Sequence, residues 1–207
     1  MPGLFGKSAP RKCPIPEASQ KWIETAFPFL IRLFGEEKIK HKKVLVPHYS
    51  DFPIRYDGGS QPAQDTLHII AGQMEVDPGS IMLDIYTDVT RSLTTGSAMD
   101  GGKFYLGSDD NADTDLPYRG RQDDGKLHIG LEAGKLSDPE RLVACIAHEI
   151  AHMRLMESLQ PEDSHQLADL TAMLFGLGVF NSNASFYVAG KGYVLQREWG
   201  YALALFA

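Results

Sequence analysis

Two histidines and a glutamate within five consecutive residues are the side chains of this sequence best suited to chemistry. The segment reads His148-Glu149-Ile150-Ala151-His152. Residues four apart on a helix share one face, so the two imidazoles can bind a single zinc ion. Glu149 lies about 100° further round the helix, towards the side where an attacking water would stand. A carboxylate there can take the proton of that water as a general base and return it as a general acid.

The surroundings of this segment favour a metal site over a chance combination of three polar residues. The rest of the predicted helix is apolar and core-facing, with Leu142, Val143, Ile146 and Ile150. Ionisable groups in such a helix are costly unless they are paired or bound to a metal. We therefore predict that His148 and His152 bind Zn2+ and that Glu149 is the catalytic group.

A catalytic zinc ion needs a third protein ligand and an open coordination position. His165 and Asp169 are again four apart and share one face of the next predicted helix. Few residues separate the two helices, which predicts a helical hairpin that brings the start of the second near the end of the first. We expect His165 to be the third ligand and Asp169 to orient a zinc-bound histidine. Three alternatives stay open: Asp169 as the ligand with His165 beside it, Glu162 as the ligand, and His165 as an exposed histidine in the first turn of its helix.

The two helices together resemble a known family. HEIAH on one helix, followed by a second helix that begins HQLADLTAMLFG, resembles the zincin metallopeptidases of the gluzincin type. In that family the second helix carries Glu-x-x-x-Asp, in which the Glu binds zinc and the Asp supports the first motif histidine. His165 and Asp169 occupy those two places, so a histidine replaces the family's glutamate, and the gap between the motifs is shorter than usual for this type.

A looser resemblance extends beyond the two helices. The same stretch, with FGLGVFNSN after it, resembles small bacterial HExxH proteins whose substrates are unknown. The motif resemblance covers about residues 126–180, whereas the looser one runs from about Trp22 to the C-terminus.

The zincin resemblance implies a zinc-dependent peptidase with a peptide or protein as substrate. In zincins the strand before the active-site helix binds an extended substrate along its edge, a role that would fall to residues 126–132. An ordinary edge strand is the alternative. Zincin catalysis also needs a donor for the developing oxyanion, and the candidates are Tyr187, Tyr193 and Tyr201.

The elements that must position these groups follow from periodicity and turn chemistry. Alternating Leu127, Ile129 and Leu131 predict a half-buried strand over 126–132. Ser137 as N-cap, with Pro139 and Glu140 after it, predicts a capping box that starts the active-site helix. Further helices are expected over 16–35 (kinked or broken at Pro28), 62–74, 165–177 and 198–206. Strands are expected at 43–47, 80–87 and 103–107, and a polar loop at 108–125. The predicted fold is α+β and zincin-like, a small twisted sheet beside helices with the active-site hairpin at its core.

Composition limits the classes of protein and of partner. The 207 residues predict one zincin-like domain over 16–207, preceded by a flexible tail over 1–15. A net charge of -7 lacks the positive field that nucleic acid or an anionic membrane would need. No apolar stretch is long enough to span a bilayer, no signal peptide is recognisable, and only two cysteines occur, so we expect a cytoplasmic protein. The sequence does not determine the oligomeric state.

Three other interpretations of the motif remain open. A regulatory or interaction protein can keep a zincin fold and a bound zinc without cleaving anything. A metal-free protein can use the same histidines to satisfy a polar core. A metal-dependent amidase that acts on a small substrate is the third. The remaining histidines, His41, His48, His68 and His128, have no partner spacing and are expected to be structural or on the surface.

Overall fold

The computed structural model describes residues 13–86, 118–121, 124–159, 165–184 and 194–206. These residues form a largely helical α+β arrangement, so the coarse fold class expected from the sequence is confirmed. The α-helices are α1 (Glu17–Phe34), α2 (Glu36–Lys40), α3 (Ser60–Gln73), α4 (Pro139–Leu159), α5 (His165–Ala172), α6 (Gly178–Ala184) and α7 (Gln196–Phe206). The strands are β1 (Ile81–Tyr86), β2 (Tyr118–Arg121) and β3 (Leu127–Glu132). None of the helices in these ranges combines the length and apolar character needed to cross a membrane.

Strand β3 lies in the middle of a three-stranded sheet of order β1-β3-β2. It pairs in parallel with β1, where Leu83 lies opposite Ile129, and antiparallel with β2. The prediction that β3 presents a free edge is therefore wrong over Leu127–Ile129, because β2 pairs there. Strand β2 itself falls inside the segment predicted to be a polar loop. The strand predicted at 103–107 lies outside the described residues.

The alternation of β3 places one of its faces in the core as predicted. Leu127, Ile129 and Leu131 are fully buried, and they belong to one hydrophobic core with apolar residues of the helices. Each such side chain stabilises the fold by about 1.5–3 kcal/mol relative to exposure. This packing fixes the position of the N-terminus of α4, because little more than the short 3-10 turn Ala133–Ser137 separates the strand from the helix.

Helix α4 begins with a different cap from the one predicted. The carboxylate of Asp138 accepts a hydrogen bond from the backbone N–H of Arg141 at 3.0 Å, which makes Asp138 the N-cap. The hydroxyl of Ser137 instead donates to the carbonyl of Gly134 within the preceding turn. Pro139 at the first helical position sets this register, because the cap must directly precede it. The capping box centred on Ser137 was wrong by one residue.

The N-terminal half differs from expectation at three places. Helix α1 runs unbroken through Pro28, held by a buried face that includes Ile23 and Leu30. The segment predicted as a strand over 43–47 forms no strand, and the N–H of Leu45 donates to the carbonyl of Gly176. Ile15 is buried, so the packed chain already includes the end of the segment predicted to be a tail.

The second helix of the hairpin is kinked. After α5 the chain passes through the π-helical stretch Met173–Leu177, kinks at Gly176 and continues as α6. Within this stretch Gly176 has φ 85°, a conformation that disfavours any residue with a Cβ. The wider turn frees backbone carbonyls, and the side-chain amide of Gln73 donates to the carbonyl of Phe175 at 2.7 Å.

Candidate metal centre

The predicted hairpin is present and brings the candidate residues together. Helices α4 and α5 pack against each other, and α5 begins at His165. His148 and Glu149 are buried on α4, whereas His152, one turn later, and His165 are half-buried. Glu162, the weaker ligand candidate, lies outside the described residues.

The three histidine rings form a compact triangle. Their centroids are 5.1 Å apart for His152 and His165, 5.3 Å for His148 and His165, and 6.3 Å for His148 and His152. Three imidazoles on a tetrahedral zinc ion, with Zn–N bonds of about 2.0–2.1 Å, would place their centroids roughly 5.2 Å apart. Two sides of the triangle therefore match this spacing, and the third is about 1 Å too long.

Asp169 holds the ring of His148 in one orientation. The Nδ1 atom of His148 lies 2.8 Å from Oδ1 of Asp169, and both side chains are more than nine-tenths buried. A carboxylate only accepts hydrogen bonds, so Nδ1 of His148 carries a proton and donates it. In the neutral ring the lone pair then lies on Nε2, the tautomer found when a carboxylate supports a metal-binding histidine.

The lone-pair side of His148 faces His165. Its Nε2 atom lies 3.1 Å from Nδ1 of His165, and the two rings stack at 15°. Two nitrogens bound to one tetrahedral zinc ion stand about 3.3 Å apart. The chain thus brings nitrogen donors of two histidines to nearly the separation of a shared metal ion, with Asp169 behind the first of them.

The residues fit zinc in donor type, and His148 and His165 turn ring nitrogens towards each other, although the three rings are not closed around one point. Among the described residues, no group of three or more histidine, cysteine, aspartate or glutamate side chains already stands as a metal site. The long side of the triangle, between His148 and His152, is consistent with this result. Binding of an ion to all three rings would require the rings of His148 and His152 to approach each other.

Glu149 is a buried carboxyl group that the rest of the described chain leaves without a hydrogen bond or ion pair. Its side chain lies one position from His148, and the residue is 9% exposed. Burial raises the pKa of Glu149 to about 7, and the charge of His148 offsets part of this rise. A carboxyl group with such a pKa can accept and donate a proton at neutral pH.

The electrostatics of His148 combine two opposing effects. Burial lowers its pKa, but the hydrogen bond and charge of Asp169, together with the charge of Glu149, outweigh burial and raise the pKa overall. Buried groups perturbed by both desolvation and a specific charged partner are concentrated at functional sites. The pair Glu149 and His148 has this character.

Asp169 also contacts a group that the sequence analysis did not find. Its second oxygen, Oδ2, accepts a hydrogen bond from the backbone N–H of Val194 at 3.0 Å. Val194 is buried and lies two residues before α7. No side-chain pattern can reveal this partner, because every residue except proline carries a backbone N–H.

The other candidate residues lie apart from this centre or outside the described chain. The hydroxyl of Tyr201 donates to the carboxylate of Glu24 on α1, so this tyrosine contacts α1. Tyr187 and Tyr193 lie outside the described residues.

His128 has partners that its sequence position did not suggest. Its Nδ1 lies 2.8 Å from Asp84 and its Nε2 lies 3.1 Å from Asp124. Asp124 is four residues away along the chain, a spacing that the sequence contained, whereas Asp84 is brought by the β1–β3 pairing.

Comparison with known proteins adds no relative to this picture. No protein-family model matches the chain, and neither a curated protein nor a solved structure matches it significantly. The interpretation of the centre therefore rests on its own residues and on the HExxH spacing.

Proposed function

We propose that this protein is a zinc-dependent hydrolase of the metallopeptidase type, built on a zincin-like fold, that cleaves a peptide or amide bond. One observation carries the proposal. Asp169 fixes the ring of His148 so that its Nε2 meets a nitrogen of His165, and the next residue along the helix is the buried Glu149. A metal-binding histidine typically donates one ring nitrogen to a carboxylate and directs the other ring nitrogen to the ion. The ring of His148 has a carboxylate on one side and a second histidine on the other, which agrees with this arrangement.

In this proposal His148, His152 and His165 hold the ion, and Asp169 orients His148. When bound, zinc supplies Lewis acidity, which polarises the scissile carbonyl and lowers the pKa of water. A site with three protein ligands leaves room for substrate and water. The three imidazoles are neutral donors in this role, so the site as a whole keeps the positive charge that a developing oxyanion requires.

Glu149 performs the proton transfers. Its carboxylate takes a proton from the attacking water as the oxygen bonds to the carbonyl carbon, and it later gives that proton to the nitrogen of the leaving amine. Burial favours this exchange, because a desolvated carboxylate binds a proton more readily than an exposed one. Water exclusion around Glu149 also keeps the proton from escaping to bulk solvent.

The proposed substrate is a peptide or protein, and the proposed compartment is the cytoplasm. Cys13 and Cys145 are not joined in a disulfide, which agrees with a reducing compartment. The net charge of -7 argues against nucleic acid or an anionic membrane as partner. Substrate addition along β3 is no part of the proposal, since β2 already pairs with Leu127–Ile129.

A second candidate is a protein that uses the same histidines without catalysis. The specific observation in its favour is that His148 engages both ring nitrogens within the protein, with Asp169 and with His165. Such a network satisfies buried polar groups on its own, with or without a zinc ion. A regulatory or interaction protein would need nothing more from this centre.

The deciding experiment measures metal content and hydrolysis in the same preparations. Protein purified without added metal is analysed by elemental mass spectrometry, and its activity is followed on a peptide library by mass spectrometry. Glu149→Gln should retain about one zinc per chain and lose at least about 100-fold in rate, since general-base catalysis contributes roughly 10²–10⁴.

The matched control is Glu140→Gln, a glutamate in the first turn of the same helix that bonds Asn183. It should keep both zinc and activity. Hydrolysis that persists in Glu149→Gln contradicts the mechanism. Zinc without hydrolysis in the unmodified protein favours the regulatory alternative, and a chain that takes up no zinc at all favours the metal-free polar core.

A further inference from the structure

The carboxylate of Asp169 is held on both oxygens. Oδ1 accepts from Nδ1 of His148 at 2.8 Å, and Oδ2 accepts from the backbone N–H of Val194 at 3.0 Å. Asp169 is 5% exposed and Val194 is 3% exposed, so water competes little with either bond. A carboxylate tied at one oxygen can still rotate about its last torsion, whereas one tied at both oxygens presents a fixed acceptor to the imidazole.

Val194 lies two residues before the C-terminal helix α7. The next backbone N–H, that of Leu195, donates to the side chain of Glu198 at 2.9 Å and so caps the first turn of α7. Trp199 and Ala202 bury the inner face of α7, and the helix packs against α1 and α6. The position of the Val194 N–H is therefore set by the docking of α7.

These contacts form one continuous connection from α7 to the candidate metal centre. We propose that the backbone N–H of Val194 is a positioning group that, through Asp169, fixes the orientation of His148. The affinity for metal then depends on the position of the backbone just before α7. The role of Val194 rests on the proposed function for its link to metal, but the connection to the ring of His148 exists without any ion.

The experiment removes one backbone N–H and keeps every side chain. Val194 is replaced by its α-hydroxy analogue through nonsense suppression in the full-length chain, which turns the amide into an ester and keeps the buried side chain. The matched control is the same change at Leu195, whose N–H also anchors the start of α7 but donates to Glu198 instead of Asp169. Both proteins lose one anchoring hydrogen bond, and only one loses the bond to Asp169.

Two readouts are taken on each protein. Affinity for Zn2+ and Co2+ is measured by chelator competition, with the visible absorption of Co2+ as a signature of its coordination. In the metal-free protein, the solvent exchange of the Nδ1 proton of His148 is followed by nuclear magnetic resonance. We expect the ester at Val194 to weaken Zn2+ binding by about tenfold or more and to speed exchange of the ring proton, since outer partners of metal ligands contribute 10–100-fold in affinity.

The outcomes separate this inference from the proposed function. Equal losses in the Val194 and Leu195 esters would show that general docking of α7 matters, and unchanged affinity and exchange at Val194 would remove the positioning role. An unmodified protein that binds no Zn2+ or Co2+ contradicts the proposed metal site. In that case the exchange rate of the His148 ring proton still decides whether the N–H of Val194 positions the ring.

Discussion

His165 presents a ring nitrogen to His148, whereas Asp169 presents a carboxylate oxygen to the opposite side of the same ring. The two residues therefore have different expected roles, although both lie on α5 and face the same histidine. A direct ligand contributes a bond to the ion, and a supporting carboxylate contributes orientation and basicity to another ligand. This difference gives the first prediction at the scale of single residues.

His165→Ala should lower Zn2+ affinity by more than about 100-fold, because it removes a ligand, whereas Asp169→Ala should lower it by about 10–100-fold. Chelator competition on the purified variants measures both values. His68→Ala, which removes an exposed histidine of α3, serves as the control and should keep full affinity. A larger loss in Asp169→Ala than in His165→Ala would support the alternative in which Asp169 is the ligand.

His128 provides a residue-scale prediction outside the candidate centre. The hydrogen bonds to Asp84 and then to Asp124 raise the pKa of His128. Both of its nitrogens face carboxylates, so the doubly protonated ring satisfies both bonds. A raised pKa means that the protonated form stabilises the folded state fully below the unfolded pKa of about 6.5, and that this stabilisation disappears as pH rises through the folded value.

His128→Gln should therefore lower the free energy of unfolding most near pH 5–6. The loss should be at most about 1 kcal/mol, because partly exposed ion pairs contribute little. The deficit should shrink above the folded pKa of the histidine. Urea unfolding at several pH values measures it. His68→Gln is the control, since within the described part of the chain the ring of His68 bonds Gln64 and no carboxylate. A deficit that grows with rising pH would show that the neutral ring is the stabilising form.

At the scale of elements, the π-helical stretch after α5 is where the hairpin departs from a regular helix. Gly176 combines φ 85° with a position where an added Cβ would overlap the backbone carbonyl oxygen of Lys43. The carbonyl of Gly176 in turn accepts from the N–H of Leu45. The segment around Leu45 thus packs directly on the helical turn, and only glycine leaves room for it.

Gly176→Ala should destabilise the protein by about 3 kcal/mol or more, through the unfavourable φ and the backbone overlap together. Gly200→Ala is the matched control within α7, where an added Cβ meets nothing within 4 Å. That change should stabilise by up to about 1 kcal/mol, since alanine favours helix over glycine. Chemical denaturation measures both. Similar stabilities for the two variants would show that the turn relaxes around a side chain.

At the scale of the whole molecule, a metal that joins α4 to α5 would couple binding to folding. The three histidines lie on two helices that are brought together only in the folded chain. An ion that binds the folded state and not the unfolded state stabilises it by mass action. Metal binding at the candidate centre should therefore raise the free energy of unfolding of the folded chain.

Zn2+ at about 100 times its dissociation constant should raise the free energy of unfolding by about 2.7 kcal/mol and the melting temperature by roughly 5–10 °C. Differential scanning calorimetry with and without a chelator measures the shift. Mg2+ is the control ion and should have no effect, because it prefers oxygen ligands. His148→Ala should remove the response to Zn2+, and a response that survives this change would place the ion elsewhere.

The local features of this protein could be predicted from its amino-acid sequence. The spacing of His148 and His152 fixed their common helix face, since the geometry of a helix depends only on neighbouring residues. The alternation in β3 likewise fixed which of its residues are buried, because a strand turns successive side chains to opposite faces. The hairpin followed from the few residues between α4 and α5. Each of these inferences needs information from one short stretch of chain.

The tertiary structure alone decided the long-range partners. The pairing of Asp169 with His148, the second bond to Val194 and the place of β3 between β1 and β2 all join residues that are distant in sequence. Backbone N–H and carbonyl groups are the same in nearly every residue, so sequence does not mark which of them will meet. These contacts are determined by how the helices and the sheet pack around the shared core, and that packing depends on the whole chain.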